Sequence, residues 1–121
     1  MGYLAQHFNP VFNCDDAKFE ALRISSRIAE LSEPNLIVLI GSLADGSFAG
    51  GSDIDLVIVY DDQQSLTAAK KLLSRAQILP KYPVDYLMCT QERFDAQKFI
   101  GGPYFVAHNE GVVLYDKRKA L

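Results

Sequence analysis

Residues 36–60, LIVLIGSLADGSFAGGSDIDLVIVY, contain two apolar runs separated by a segment rich in Gly and Ser. The run at 36–40 has no polar residue, which is typical of a β-strand buried on both faces. The run at 53–60 is rich in β-branched residues and predicts a second strand. We therefore expect a strand–loop–strand unit, with the glycine- and serine-rich loop joining the two strands.

The flanking sequence predicts helices and further strands in alternation. Apolar residues at helical spacing predict a helix over 15–31, capped by Asn13 or Asp15 and ended by Glu33-Pro34-Asn35. The remaining expected elements are a helix reaching residue 76, a strand at 84–89, short helices at 90–100 and 104–110, and a strand at 112–115. This order predicts an α/β (α+β) fold, with a small mixed β-sheet flanked by helices. No repeat or linker interrupts it, so residues 1–121 are expected to form a single domain.

Composition excludes several classes of protein. Hydrophobic residues make up 49% and charged residues 22% of the chain, which is the balance of a globular domain and not of a disordered or fibrous one. The longest apolar run is only residues 36–40, so neither a membrane span nor a signal peptide is expected. The net charge of −3 argues against direct binding of duplex nucleic acid. Cys14 and Cys89 are too far apart for a zinc motif, and free thiols favour a cytoplasmic location.

Three carboxylates stand in or beside the predicted strands. Asp53 and Asp55 are two residues apart, so a strand would place them on one face, about 7 Å apart at Cα. Mg²⁺ prefers such oxygen ligands, and two such ions can clamp a phosphoryl displacement. The alternative is that both residues cap the strand and face water, but acidic residues are depleted in strands.

Asp85 is the only charged residue in the strand VDYLMC. If it were buried and unpaired it would cost considerable free energy, and a metal ion would remove that cost. The alternative is an exposed carboxylate at a sheet edge, and for Asp85 taken alone this alternative is slightly favoured. Beside Asp53 and Asp55, we favour the metal interpretation.

Gly41-Ser42 follows the first strand directly. Glycine lets the backbone approach a phosphate closely, and backbone N–H groups with the Ser42 hydroxyl could then bind its oxygens. Taken alone, the dipeptide is much better explained by an ordinary turn. It is not a P-loop, because no Gly-Lys-Ser/Thr follows.

Together these residues form a spaced set: Gly41-Ser42, ten residues, Asp53-x-Asp55, and Asp85 on the next strand. The segment GSLADGSFAGGSDIDLVIVY, followed by PVDYLM and NEGVVLYD, resembles the nucleotidyltransferase superfamily that includes DNA polymerase β. It is most similar to the small, single-domain branch called minimal nucleotidyltransferases. The resemblance covers roughly residues 20–116.

The resemblance implies a role for each residue. Gly41, Ser42 and Ser52 would bind the nucleotide. The catalytic and metal-binding residues would be Asp53, Asp55 and Asp85, holding two Mg²⁺ ions, with Asp85 on the ion nearer the attacking hydroxyl. ATP would be the substrate, and AMP would pass to a hydroxyl with release of pyrophosphate.

The chain departs from the family pattern at Leu43, where relatives often have Arg. No Lys or Arg occurs between Arg27 and Lys70, which leaves Lys70 and Lys71 as the next cations along the chain for the triphosphate. The basic segment 117–119 is interpreted as a solvated, mobile tail and not as a nucleic-acid site.

Three functions follow from the resemblance. The first is the antitoxin of a toxin–antitoxin pair that adenylylates a helical HEPN-type toxin protein. The second is a catalytically silent binding module that neutralises a partner by complex formation, which the missing cation after Ser42 favours. The third is an antibiotic-adenylylating enzyme, but such enzymes have an extra helical domain that is absent from these residues. Exposed strand residues near residue 115 could also pair with a second copy in a homodimer.

Overall fold

The computed structural model of the protein describes residues 14–49 and 51–119. Its elements are α1 (Cys14–Ser32), β1 (Leu36–Ile40), α2 (Ser42–Asp45), β2 (Ile54–Tyr60), α3 (Gln63–Ala76), β3 (Val84–Thr90), α4 (Gln91–Gln97), α5 (Gly102–Glu110), β4 (Val112–Asp116) and a 3₁₀ turn (Lys117–Lys119).

Every predicted strand and helix is present, with ends that differ by a few residues. The four-residue helix α2 was not predicted. The basic segment, expected to be a mobile tail, forms a 3₁₀ turn that continues β4. Because α1 begins at Cys14, Asp15 lies inside its first turn and is not the cap. The other predicted cap, Asn13, lies outside the described residues.

The four strands form one sheet in the order β3-β2-β1-β4. The central strand β1 is antiparallel to both β2 and β4, whereas β2 and β3 are parallel and are joined through α3. A parallel pair needs such a crossover, since a tight turn can join only antiparallel strands. The expected small mixed sheet flanked by helices is confirmed.

Helices α1 and α3 cover one face of the sheet, which we call the long-helix face. Ala21, Ile24 and Ile28 of α1 pack there against Leu56 and Ile58 of β2, all fully buried. Burying a side chain of this size contributes about 1.5–3 kcal/mol, so this layer supplies much of the stability of the domain.

Helices α4 and α5 cover the opposite face, the short-helix face. Val57 and Val59 of β2 point there and pack with Cys89, Phe94 and Ala107. Because successive residues of a strand alternate between faces, β2 is buried on both sides. Each side chain of β2 therefore points either to the long-helix face or to the short-helix face.

The sheet also has two distinct ends. At the first, β1 ends while β2 and β3 begin, and we call this the carboxylate end for the residues described below. At the second, which we call the basic end, β2 and β3 end, β1 begins, and β4 runs into the 3₁₀ turn. No helix within residues 14–49 and 51–119 is long and apolar enough to cross a membrane.

Candidate functional site

Asp55 and Asp85 are direct neighbours at the carboxylate end. They are paired in register on the parallel strands β2 and β3, and Asp55 also lies opposite Ile40 on β1. Neighbouring strands are about 4.8 Å apart, so the two carboxylates leave the same face of the sheet side by side. Alternation along β2 places them on the short-helix face, with Val57 and Leu87 next along each strand.

Asp53 stands just outside the strand. Strand β2 begins at Ile54, one residue later than predicted, and Asp53 is exposed in the segment that leads into it. Its charge is nevertheless close enough to act on Asp55, as the pKa of that group indicates. The three carboxylates therefore gather at one end of the sheet, two on strands and one on the preceding loop.

The charges in this group repel one another. Burial raises the pKa of Asp55 above its usual value, and the neighbouring charges of Asp85 and then Asp53 raise it further. An arrangement of this kind favours either protonation of Asp55 or a bound cation.

Asp85 itself is exposed on the edge strand β3. The sequence argument that an unpaired Asp85 would be costly because it is buried therefore does not hold. The exposed-edge alternative describes its environment correctly. Its place beside Asp55 comes from the strand register, which the composition of the strand VDYLMC does not reveal.

Gly41 lies against the carboxylate of Asp55. A Cβ atom built at Gly41 would collide with Oδ2 of Asp55, and the backbone has a φ of 77° and a ψ of −156°. That region is essentially restricted to glycine. Position 41 is therefore glycine for two reasons, the backbone conformation and the space taken by the carboxylate.

Helix α2 begins immediately after Gly41. The carbonyl oxygen of Gly41 accepts hydrogen bonds from the N–H groups of Ala44 and Asp45, at 3.1 and 3.0 Å. The N–H groups in the first turn of a helix have no partner within it, so those of Ser42 and Leu43 can bind other acceptors. A short run of donors thus stands next to the carboxylates.

Ser52 helps to close the loop before β2. Its N–H donates to the carbonyl oxygen of Ala49 at 2.9 Å, and its hydroxyl oxygen accepts from the N–H of Ala49 at 3.1 Å. Asp45 makes a similar local turn by accepting from the N–H and the hydroxyl of Ser47. The hydroxyl of Ser52 therefore already holds the loop, and a role in binding nucleotide would be additional.

Leu43, the departure from the family pattern, is a core residue. Its side chain is 2% exposed and packs with the apolar cluster of the long-helix face. An arginine with this side-chain direction would enter the core. Lys70 borders a groove with Tyr86 and Met88, also on the long-helix face, so the sheet separates it from Asp55.

The carboxylates at this end of the sheet could hold a metal ion only together with other ligands. Among the described residues, no three His, Cys, Asp or Glu side chains converge closely enough to form a ready metal cage. Mg²⁺ does not require one, because it commonly takes one or two carboxylates together with substrate phosphates and water. Asp55 and Asp85, which are adjacent and form no ion pair with the described residues, offer oxygen ligands that fit such an ion.

The structure thus brings together Gly41, Asp55 and Asp85, with Ser42 and Asp53 at their side. Sequence reasoning missed the helix α2 and the contact between Gly41 and Asp55. The sequence signal that could have indicated this contact is the glycine at position 41, at the point where one predicted strand ends near the start of the next.

Comparisons with known proteins bear on the family and the fold of the chain. The model of the family described as "Nucleotidyltransferase domain" matches residues 22–111. A solved structure of a candidate nucleotidyltransferase from Sulfolobus solfataricus shares the fold, with a TM-score of 0.55 and 19% sequence identity over 83% of this chain and 80% of that one. None of the curated proteins matches the chain.

Proposed function

This chain belongs to the nucleotidyltransferase domain family, and on that premise we propose that it transfers AMP from ATP to a hydroxyl acceptor. The observation that carries the proposal is the adjacent, in-register pair Asp55 and Asp85 beside Gly41. Phosphoryl transfer needs little more from a protein than positioning and neutralisation of charge, which such a group can provide.

Each residue of the group has a proposed role. Asp53, Asp55 and Asp85 would hold two Mg²⁺ ions, which supply the positive charge that offsets the triphosphate and activates the attacking hydroxyl. The first-turn N–H groups of α2 and the Ser42 hydroxyl would bind phosphate oxygens, and Ser52 would keep the loop close to the nucleotide. Gly41 lets the backbone and the carboxylate of Asp55 approach each other.

The acceptor is proposed to belong to a partner protein. The resemblance favours an antitoxin that adenylylates a tyrosine of a helical HEPN-type toxin in the cytoplasm. Direct binding of duplex nucleic acid is not part of the proposal, given the net charge of −3. A homodimer through the exposed edge of β4 would leave the carboxylate group accessible, because β4 is separated from β2 and β3 by β1.

The test is a labelling experiment in a lysate of the host. The protein is incubated with Mg²⁺ and ATP labelled at the α-phosphate, in parallel with the Asp53→Asn and Asp61→Asn variants. Asp61 is an exposed carboxylate just past the opposite end of β2, so it controls for loss of one charge. Label on one protein band with the unmodified chain and the control, but not with Asp53→Asn, supports the proposal. Transfer that survives in Asp53→Asn contradicts it.

The second candidate is a binding module without turnover. It is favoured by the placement of the cations, since Leu43 is in the core and Lys70 lies on the opposite face of the sheet. If no acceptor is labelled, a partner captured equally by the unmodified chain and by Asp53→Asn would support this second function. Label on RNA or on a small molecule would keep the chemistry and replace the antitoxin role.

A further inference from the structure

A cavity lies toward the basic end of the sheet and is not lined by the carboxylates of the candidate site. Its volume is about 750 Å³, within the range of sites for small organic ligands. Leu36 and Val38 of β1 and Val113 of β4 line it from the sheet, and Phe94 and Ala107 line it from α4 and α5. It therefore opens on the short-helix face beside the edge strand β4. Strand β1 spans about 14 Å between the basic end and the carboxylate end of the sheet, as its strand rise implies.

The floor of the cavity is apolar. Phe94 and Ala107 are buried in the short-helix cluster, and Val38 is only 1% exposed. Val113, by contrast, is 54% exposed although it is an aliphatic residue in a strand. When a ligand covers a half-exposed apolar side chain, apolar surface is removed from water, which makes the free energy of binding more favourable.

The rim of the cavity is cationic. Four basic side chains and two carboxylates line it, which gives a net charge of +2 with His108 neutral: Lys98, Lys117, Arg118, Lys119, Asp95 and Asp116. Each carboxylate is already paired, Asp95 with Lys98 at 3.2 Å and Asp116 with Arg118 at 3.0 Å. Lys117 and Lys119 form no ion pair with the described residues, although the charge of Lys119 also acts on Asp116. Both ammonium groups can therefore still bind a ligand.

We propose that this cavity binds a small organic anion, with its apolar body against Phe94 and Val113 and its phosphate or carboxylate at Lys98, Lys117 and Lys119. The polarity of the cavity fits an amphipathic anion better than a bare ion, because the charge lies at the rim and the floor is apolar. The carboxylate end of the sheet takes no part, so this site is independent of the proposed transfer reaction.

The test is the binding of anilinonaphthalene sulfonate, an aromatic anion that becomes fluorescent in apolar sites. The titration is done in EDTA, so that no metal recruits the dye to the carboxylates. We compare the unmodified chain with the triple variant Lys98→Gln, Lys117→Gln, Lys119→Gln. The expected result is saturable binding of one dye per chain that is weakened about tenfold in the variant.

A matched variant controls for loss of overall charge. Lys18, Lys71 and Arg75 are exposed on α1 and α3 and do not line the cavity, so replacing all three by Gln removes the same charge elsewhere. This variant should change the affinity by less than about twofold, because exposed charges at a distance are largely screened. Equal weakening in both triple variants would overturn the proposal.

A single substitution tests the floor. Val113→Glu places an anion inside the cavity at a position that is already half exposed, so the fold should tolerate it. Loss of dye binding with an unchanged unfolding transition supports the site, whereas retained binding overturns it. Displacement of the dye by AMP would identify a nucleotide as the ligand, and displacement by dodecanoate an acyl chain. Equal displacement by inorganic phosphate at the same concentration would contradict the role given to the apolar floor.

Discussion

At the scale of single residues, Gly41 connects the geometry of the backbone to the carboxylate group. Its positive φ and its contact with Asp55 are separate constraints, and a substitution tests both. Gly46 offers a matched control, because its φ of 89° is also positive but a Cβ there would meet nothing within 4 Å.

Gly41→Ala should therefore cost about 1–3 kcal/mol of unfolding free energy through backbone strain, and should also displace Asp55. Gly46→Ala should cost about 1–2 kcal/mol and leave Asp55 in place. We expect nucleotidyl transfer to be lost in the first variant and kept in the second, measured on protein that is folded by circular dichroism. Transfer that persists in Gly41→Ala would contradict the assigned contact.

Glu20 gives a prediction about pH. It is 2% exposed, accepts two hydrogen bonds from Arg23 and accepts a third from the N–H of Lys81. The hydrogen bonds from Arg23 lower the pKa of Glu20 most, and that from Lys81 lowers it further, while burial opposes them. A lowered folded pKa means that the stabilisation is present above the unfolded pKa of about 4.3 and is lost as pH falls through the folded value.

Glu20→Gln should therefore reduce the unfolding free energy by about 1–2 kcal/mol at pH 7, and by much less well below the folded pKa. Urea unfolding of the unmodified chain and of the variant, at pH 7 and at a pH well below the folded pKa of Glu20, measures the loss of unfolding free energy under each condition. The exposed Glu30 on the same helix provides the control substitution. A loss that is the same at both pH values would show that the charge of Glu20 is not its cause.

At the scale of elements, the apolar patterns predicted the strands and long helices because each repeats over several residues. Helix α2 has only four residues, Ser42–Asp45, which is too short for a helical period. The exposure of Asp85 could not be predicted for a different reason. It depends on β3 being an edge strand, and strand order is set by pairing between distant segments, which local composition does not encode.

The candidate site was predictable in part for the same reasons. The types and spacing of Gly41, Asp53, Asp55 and Asp85 were visible in the sequence, whereas the in-register contact of Asp55 with Asp85 required the sheet. The use of the Ser52 hydroxyl within its own loop also required the folded chain.

The start of helix α3 gives a prediction at this scale. The side chain of Asp62 caps α3 by accepting from the N–H of Ser65 at 2.8 Å. Asp62→Ala should reduce the unfolding free energy by about 1 kcal/mol, because that donor loses its partner. The neighbouring Asp61 does not serve as this cap, so Asp61→Ala should change the unfolding free energy by less than about 0.5 kcal/mol. Equal losses in thermal or urea unfolding would argue that charge, and not capping, matters here.

At the scale of the whole molecule, the two ends of the sheet differ in charge and in proposed use. Asp53, Asp55 and Asp85 gather at the carboxylate end, whereas Lys117 and Lys119, which form no ion pair with the described residues, line the cavity at the basic end. Repulsion between the carboxylates lowers the stability of the folded protein. A functional site can keep such a destabilising group of charges when a bound ligand offsets the repulsion.

Asp55→Asn should therefore stabilise the protein when no metal is present. The folded pKa of Asp55 is raised, so its ionised form destabilises the folded state above that pKa and ceases to do so as pH falls through it. At neutral pH in EDTA we expect a gain of about 0.5–1 kcal/mol in urea unfolding. In Mg²⁺ the unmodified chain should be stabilised by binding, and the difference should shrink or reverse. A magnesium effect that is identical in both proteins would contradict metal binding at Asp55.

The neighbouring positions of β1 and β4 have a consequence for synthesis of the protein. Leu36 at the start of β1 pairs with Asp116, so one edge of this strand has no neighbour until nearly the whole domain has left the ribosome. Strand β1 is apolar throughout, and an unpaired apolar edge invites association with other chains. A nascent chain that has been translated only through α3 therefore exposes an unpaired, aggregation-prone edge of β1. The time needed to translate residues 112–116 sets how long this edge of β1 stays unpaired.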